Sequence, residues 1–361
     1  TRFDCDWSSD VCSSDLMLTG RRAILAAGAA ALVLPAARAR AAGPSSELIA
    51  AAVKEGTAVF HTSIDLTVAQ KIVTAFQALY PGIRIQLERT GAERVLQRIN
   101  QEYASNIYAA DVVESSDATM FIGWKQQGWL AKFVPVDVGA FWPKEQRDAD
   151  DRFASVRATL SVIAYNTKQV TAEEAPKGFL DLLSPKWRMR MVKAHPGYSG
   201  TILTSTFATE QALGWGYFEK VAKQRILQVQ SASDPPKKVA QGERSIMFDG
   251  SEYVATYLKE AGNPIEIVYA VEGSPVIAGQ MGVLEKAPHP NAARLFVDYV
   301  FSAPCQQMMA DAGGIRSFHP EVKTKPGRKP LSEIKLLSSD PAALAKDGEE
   351  VKKRYTEIFG V

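Results

Sequence analysis

The densest site chemistry of the chain lies in His195-Pro196-Gly197-Tyr198-Ser199-Gly200-Thr201. A strand-like run, Met189 to Ala194, leads into it, and a helix-like run, Ile202 to Leu213, leads out. A strand, a glycine-rich turn and hydroxyls at a helix start make an anion seat. The first helical turn carries unpaired backbone N–H groups and a partial positive charge. Ser199 and Thr201 add hydroxyl donors, Gly197 and Gly200 let a ligand approach the backbone, and Tyr198 offers a ring and a phenol. Ordinary N-caps use the same residues. The segment alone leaves an anion site and a plain βα loop both open.

Other strand ends repeat the pattern. His61-Thr62-Ser63-Ile64-Asp65 follows the strand-like Thr57 to Phe60, and Glu114-Ser115-Ser116-Asp117 follows Ala110 to Val113. Asp249-Gly250-Ser251-Glu252-Tyr253 follows Ser245 to Phe248, and Glu272-Gly273-Ser274-Pro275 follows Ile265 to Tyr269. In open α/β sheets, ligands sit at the carboxyl ends of strands. The candidate ligand contacts are therefore Ser63, Asp65, Ser115, Ser116, Asp117, Tyr198, Ser199, Gly200, Thr201, Ser251, Tyr253 and Glu272. Glu272 can receive a ligand amine or cap its own turn. His61 and His195 can donate to a ligand or be satisfied within their loops. Arg89 and Arg94 can reach an anion or lie on a solvated helix face.

The elements that must position these turns alternate in type. Leu66 to Tyr80 reads as a helix stopped by Pro81-Gly82. Ile83 to Glu88 alternates apolar and polar residues, as a half-exposed strand does, and Ala92 to Ser105 returns to helical spacing. Phe153 to Asn166 reads as one long strand, Val276 to Leu284 as another, and Val351 to Phe359 as a final helix. Repeated βα units predict an α/β fold with mostly parallel sheets flanked by helices.

With 361 residues, 46% hydrophobic and 23% charged, the chain is long enough for two domains. Its 42 basic and 40 acidic residues leave no surplus to attract nucleic acid or an anionic membrane. Residues 1–16 (TRFDCDWSSDVCSSDL) carry a near-repeat and no periodicity, resemble translated adaptor sequence, and read as a non-native leader before Met17. Residues 17–41 read as an export signal: Arg21-Arg22, the apolar run Ala23 to Leu34, and A-x-A sites at Ala37-Arg38-Ala39 and Ala39-Arg40-Ala41. The run is too short to span a bilayer. The arginine pair suits twin-arginine export, with general secretion as the alternative. Cys5 and Cys12 lie in the leader, so Cys305 is the only later thiol and a large core must supply stability.

Several short segments together resemble the iron(III)-binding branch of periplasmic solute-binding proteins of ABC transporters. They include Tyr80-Pro81-Gly82-Ile83, Ala110-Asp111-Val112-Val113, Ala164-Tyr165-Asn166-Thr167-Lys168, Asp181-Leu182-Leu183-Ser184-Pro185-Lys186-Trp187 and His289-Pro290-Asn291-Ala292-Ala293-Arg294-Leu295-Phe296. The resemblance implies a two-lobe type II binding-protein fold with two crossover hinge strands, near Leu160 to Asn166 and Ile265 to Tyr269. It divides the chain into lobe 1 (42–160 plus 268–320) and lobe 2 with the C-terminal helices (161–267 plus 321–361). It also implies a monomer in the periplasm that closes over a small ligand and hands it to an inner-membrane ABC permease.

In ferric-binding relatives a Ser-Gly segment at a helix start holds the anion that accompanies the metal, and Ser199-Gly200-Thr201 stands at that place. Their pair of tyrosine ligands falls on Glu252 and Tyr253, so only one phenol remains. Their first-lobe ligands fall near Ile64 and Ser116, beside Asp65 and Asp117. Fe³⁺ as transported ligand would use phenolate and carboxylate oxygens, here Glu252 and Tyr253. The hydroxyl-rich turns suit an organic anion better: a phosphonate, phosphate ester or carboxylate. Two other readings stand beside transport. One is an enzyme using Cys305, at the start of the helix-like Pro304 to Ala310, as a nucleophile activated by the helix N-terminus. The other is a periplasmic ligand sensor.

Overall fold

The computed structural model describes residues 43–361, so the leader (1–16) and the export signal (17–41) lie outside the described residues. In chain order, α1 (Ser46–Glu55) leads to β1 (Thr57–Thr62), α2 (Leu66–Leu79), β2 (Arg84–Arg89), α3 (Ala92–Ser105), β3 (Val112–Ser115), α4 (Ala118–Gln126) and α5 (Val136–Phe141). Next come β4 (Ala154–Leu160), β5 (Ile163–Asn166), β6 (Met191–Ala194), α6 (Gly200–Leu213), α7 (Trp215–Ala222), β7 (Leu227–Val229), α8 (Asp234–Ala240), β8 (Ile246–Met247), α9 (Glu252–Glu260) and β9 (Ile265–Val268). β10 (Ser274–Val283), α10 (Pro290–Phe301), α11 (Ala303–Gly313), β11 (Leu336–Leu337) and α12 (Pro341–Phe359) complete the chain.

The strands form two sheets. In the first lobe β2, β1 and β3 are parallel, β10 runs antiparallel to β3, and β4 and β11 also pair with β10. In the second lobe the order is β7-β6-β8-β5-β9, with β7, β6 and β8 parallel and β5 antiparallel to both neighbours. Several helices pack on these sheets through one apolar face, while α6 is buried all round from Gly200 to Thr209. Of the former, α2 buries Val68, Ala69, Ile72, Val73 and Phe76. Phe76 meets Phe296 of α10 edge-on with ring centroids 5.1 Å apart, inside the first core. The second core gathers Phe179, Trp187, Phe218 and Tyr355. Tyr355 anchors α12 there, stacked on Phe359 at 4.3 Å.

Three local differences from the sequence reading have physical causes. The run from Phe153 to Asn166 is two strands rather than one. Its backbone partners change at the break: Ser161 N donates to Pro275 O in the first lobe, and Val162 N donates to Gly250 O in the second. That break carries the chain between sheets, and Tyr269 to Gly273 carries it back from β9 to β10. α12 begins ten residues before Val351, at Pro341, because Asp340 Oδ1 accepts from Ala342 N and Pro341 fits the first helical turn. α6 begins at Gly200 rather than Ile202, so Thr201 lies inside its first turn.

Candidate functional site

The first-lobe half of the site is built around a buried ion pair. Glu114, near the end of β3, is fully buried. Its Oε2 accepts from Thr62 Oγ1 at 2.6 Å and from Ser63 N at 3.0 Å, which fixes the turn after β1. Its Oε1 receives Arg157 Nε at 3.0 Å and Nη2 at 2.9 Å. Arg157 stands on β4, and β10 lies between β4 and β3. The guanidinium crosses β10 at Gly279, where a Cβ would come within 2.8 Å of Arg157 Nε and 2.9 Å of Glu114 Oε1. Among the described residues, Arg157 Nη1 has no partner although it is buried. Ser63 Oγ accepts from Ser116 N at 3.1 Å, which draws the turns after β1 and β3 together.

The second-lobe half comes from the turn after β6. His195 Nδ1 accepts from Gly197 N at 2.9 Å and its Nε2 lies 3.3 Å from Thr356 Oγ1. The ring therefore shapes the turn from within, and burial followed by the nearby Lys193 cation holds its pKa below the usual histidine range. Ser199 is the N-cap of α6, its Oγ accepting from Ile202 N at 3.4 Å. Ser251 is the N-cap of α9, and its side chain makes no capping bond.

The two halves line a narrow common cavity of ≈ 10 Å³, room for about one water. Its walls include Ser63, Ser116 and Arg157 from the first lobe and Ser199, Thr201, Ser231 and Ser251 from the second. Tyr253 also lines it, and its hydroxyl accepts from Asp65 N at 3.0 Å, which leaves the phenolic proton free to donate. Arg89 lines the cavity too. It is the last residue of β2, not part of a helix face, and it spans the lobes: Nε donates to Ile64 O at 3.0 Å and Nη2 to Ser231 Oγ at 3.0 Å. Among the described residues, no carboxylate lines this cavity.

The lobes are in contact around it. Gly200 abuts the Asp117 turn so closely that a Cβ would meet Asp117 Cβ and N at 2.6 Å, and a Cβ on Gly91 would meet Tyr198 O at 3.1 Å. Lys237 of α8 bonds Asp65 Oδ2 at 2.7 Å, and Tyr257 donates to Asp65 Oδ1 at 3.0 Å. Burial alone would raise the Asp65 pKa, but the Lys237 contact and the Thr67 and Tyr257 hydrogen bonds pull it below the ordinary aspartate value.

Of the residues singled out from the sequence, Ser63, Ser116, Tyr198, Ser199, Thr201, Ser251 and Tyr253 line the cavity. Asp65, Ser115, Asp117 and Gly200 do not line it; they brace it. Ser115 Oγ accepts from Asp117 N, Asp117 caps α4 through Thr119 N, and Asp65 caps α2 through Thr67 N. Two residues are engaged elsewhere. Glu252, expected as a metal ligand, is fully buried between Arg316 and Arg328, with Tyr269 OH at 2.7 Å, so its oxygens are taken. Glu272, expected at the ligand, accepts from Phe179 N and Leu180 N, both at 2.9 Å, and holds that turn instead. His61 is buried, and burial lowers its pKa. Cys305, the alternative nucleophile, is buried in the first core; burial pushes its thiol up to about 12, the opposite of helix-start activation. Among the described residues, no three His, Cys, Asp or Glu side chains cluster as a metal site would require.

Arg157 and Arg89 supply the positive charge of the cavity. Arg157 is not among the residues the sequence motifs single out; its one signal is an arginine inside the otherwise uncharged run Phe153 to Asn166. A charge buried in a strand needs a partner.

Residues 62–307 match the family model described as bacterial extracellular solute-binding protein. Among curated proteins, the chain is 23% identical over 287 residues to Iron uptake protein A1 of Synechocystis sp., spanning 74% of this chain and 76% of that protein. It is 21% identical over 289 residues to the Fe(3+)-binding periplasmic protein of Serratia marcescens, spanning 76% and 82%. Among solved structures, the periplasmic binding protein AfuA from Actinobacillus pleuropneumoniae, with exogenous fructose-6-phosphate bound, superposes with a TM-score of 0.77 at 21% identity over 85% of this chain and 99% of that one. Iron-bound HitA from Pseudomonas aeruginosa superposes with a TM-score of 0.70 at 22% identity over 83% and 99%. The fold is thus the two-lobe type II periplasmic binding fold.

Proposed function

The chain belongs to the bacterial extracellular solute-binding protein family, and from that premise we propose that it captures an organic anion between its lobes. The bound anion is then delivered to an ABC permease in the membrane, in keeping with the periplasmic role of the family. One observation carries the choice of ligand: the buried Arg157, whose Nη1 has no partner among the described residues, lines a cavity to which no described carboxylate contributes. A buried, charged N–H without an acceptor is costly, and an anion removes that cost. The hydroxyls of Ser63, Ser116, Ser199, Thr201, Ser251 and Tyr253 add neutral donors around the same space. A micromolar ligand supplies about 8 kcal/mol. That is enough to drive closure when most contacts exist only in the closed form.

Ferric iron is the competing cargo, favoured by Tyr253 in the wall and by two relatives named for iron. Iron at this site would have one phenol, with Glu252 and Asp65 already committed to cations. Thermal-shift measurements against phosphate esters, phosphonates, dicarboxylates and Fe³⁺ with citrate separate the cargoes. The anion reading expects stabilisation by an organic anion without metal. A shift with iron alone, together with a visible tyrosinate–iron absorption band, would overturn it.

A further inference from the structure

β10 has a cavity on each of its faces. Gly279 faces the seat, where the Arg157 guanidinium crosses to Glu114. Val276, Ala278 and Gln280 stand an odd number of positions from Gly279 along the strand and face the other way. On that side lies a second cavity of ≈ 340 Å³, against ≈ 10 Å³ for the seat, and within the usual range of small-molecule pockets. The two cavities share Ser116 and no other described lining residue.

The neighbouring strand is shaped to serve the second cavity. Arg157 of β4 pairs with Gly279 and Ser155 with Gln280, so two steps on β4 match one on β10. Such a bulge re-aims a side chain, and here it brings Ser155 to the cavity wall. Thr204 of α6, with Ser339 and Leu344 around the start of α12, covers the space from the other side. α12 is held there by Leu344 and Val351, which pack on Leu203 and Phe207 of α6.

Val276, Ala278, Phe318, Pro341 and Leu344 make the wall largely apolar. Gln280 is only 7% exposed. Its Oε1 accepts from Ser155 Oγ at 3.2 Å, and its Nε2 has no partner among the described residues. A buried amide donor beside an apolar space calls for an acceptor. Glu145, exposed, is the one charged side chain among the described lining residues. No cation is present there to hold an anion, and a solvated carboxylate attracts a cation only weakly.

We propose that this cavity is a second ligand site, distinct from the anion seat, for an uncharged, largely apolar small molecule carrying a carbonyl or hydroxyl oxygen. The oxygen accepts from Gln280 Nε2. The apolar body lies against Val276, Ala278, Phe318 and Leu344, and so ties α6 and α12 to β10.

Fluorescence titration of the protein with Nile red, an uncharged apolar dye with a ring carbonyl, tests this. One saturable site with blue-shifted emission is expected. Ala278→Phe fills the cavity from β10 and Ser339→Trp fills it from the opposite wall; each is expected to weaken the dye by about tenfold or more. Gln280→Met keeps the volume and removes the donor, and is expected to cost about fivefold. Melting temperatures show which variants are folded, and Ser339→Trp, outside any helix or strand, decides if Ala278→Phe is not. Dye binding that never saturates, or that is unchanged in the folded filling variants, would overturn the site and leave it a water-filled space. Tighter binding of Nile blue, the cationic analogue, would overturn the uncharged class.

Discussion

Gly200→Ala separates closure from folding. Gly200 is the first residue of α6, and its φ is not among the positive values that favour glycine. Alanine there suits the second lobe on its own and stabilises a helix by about 0.5–1 kcal/mol relative to glycine. Across the cleft the new methyl would lie 2.6 Å from Asp117 Cβ and N. Carbon contacts are comfortable only near about 3.5–4 Å, so the lobes must part by roughly 1 Å at this point. The Arg89 Nη2 to Ser231 Oγ bond, 3.0 Å long, then stretches past hydrogen-bonding range. A hydrogen bond to a charged group contributes about 1.5–3 kcal/mol, which corresponds to roughly a ten- to hundredfold loss of affinity. The expected outcome is an unchanged or raised melting temperature without ligand, a larger radius of gyration with ligand by small-angle scattering, and weaker binding by calorimetry. Wild-type affinity together with wild-type scattering would refute the assignment of Gly200 to the closing contact.

Arg157→Met leaves Glu114 buried without its cation and is expected to cost about 3–5 kcal/mol in chemical denaturation. The pair Arg157→Met/Glu114→Gln should recover much of that stability yet still bind no anion; retained anion binding in the pair would remove Arg157 from the seat. The lowered pKa of Asp65 sets the acid sensitivity of closure. A depressed carboxyl contributes above its ordinary value of about 3.9 and loses that contribution as pH falls through its folded value. Scattering should therefore report opening only below about pH 3.9, and Lys237→Gln should weaken closure already at neutral pH; a transition near pH 6 would contradict the assignment. Cys305, buried and with its thiol raised to about 12, should resist alkylation in the native chain and react only on unfolding. Cys305→Ala should bind ligand as the wild type does, and rapid native alkylation would show that the core is open there.

The parts of the site that could be read from sequence are those written in consecutive residues. A strand end, a serine and a helix start place Ser63, Ser116, Ser199 and Ser251 at one cleft because the βα unit always aims that turn the same way. The charge of the site is not written locally. Arg157 acts through Glu114, 43 positions away, and can reach it only because β10 lies between their strands and Gly279 leaves the crossing open. Glu252 shows the same rule in reverse. Beside Tyr253 it has the spacing of a ligand pair, but Arg316, 64 positions on, takes both of its oxygens. Buried charges must be balanced, and the balance is settled by sheet order rather than by neighbours in the chain. An unpaired donor such as Arg157 Nη1 therefore points to a ligand only after its structural partners have been counted. Here the count leaves one guanidinium nitrogen, with its two N–H groups, over, on an arginine that lines the same cavity as the four serines.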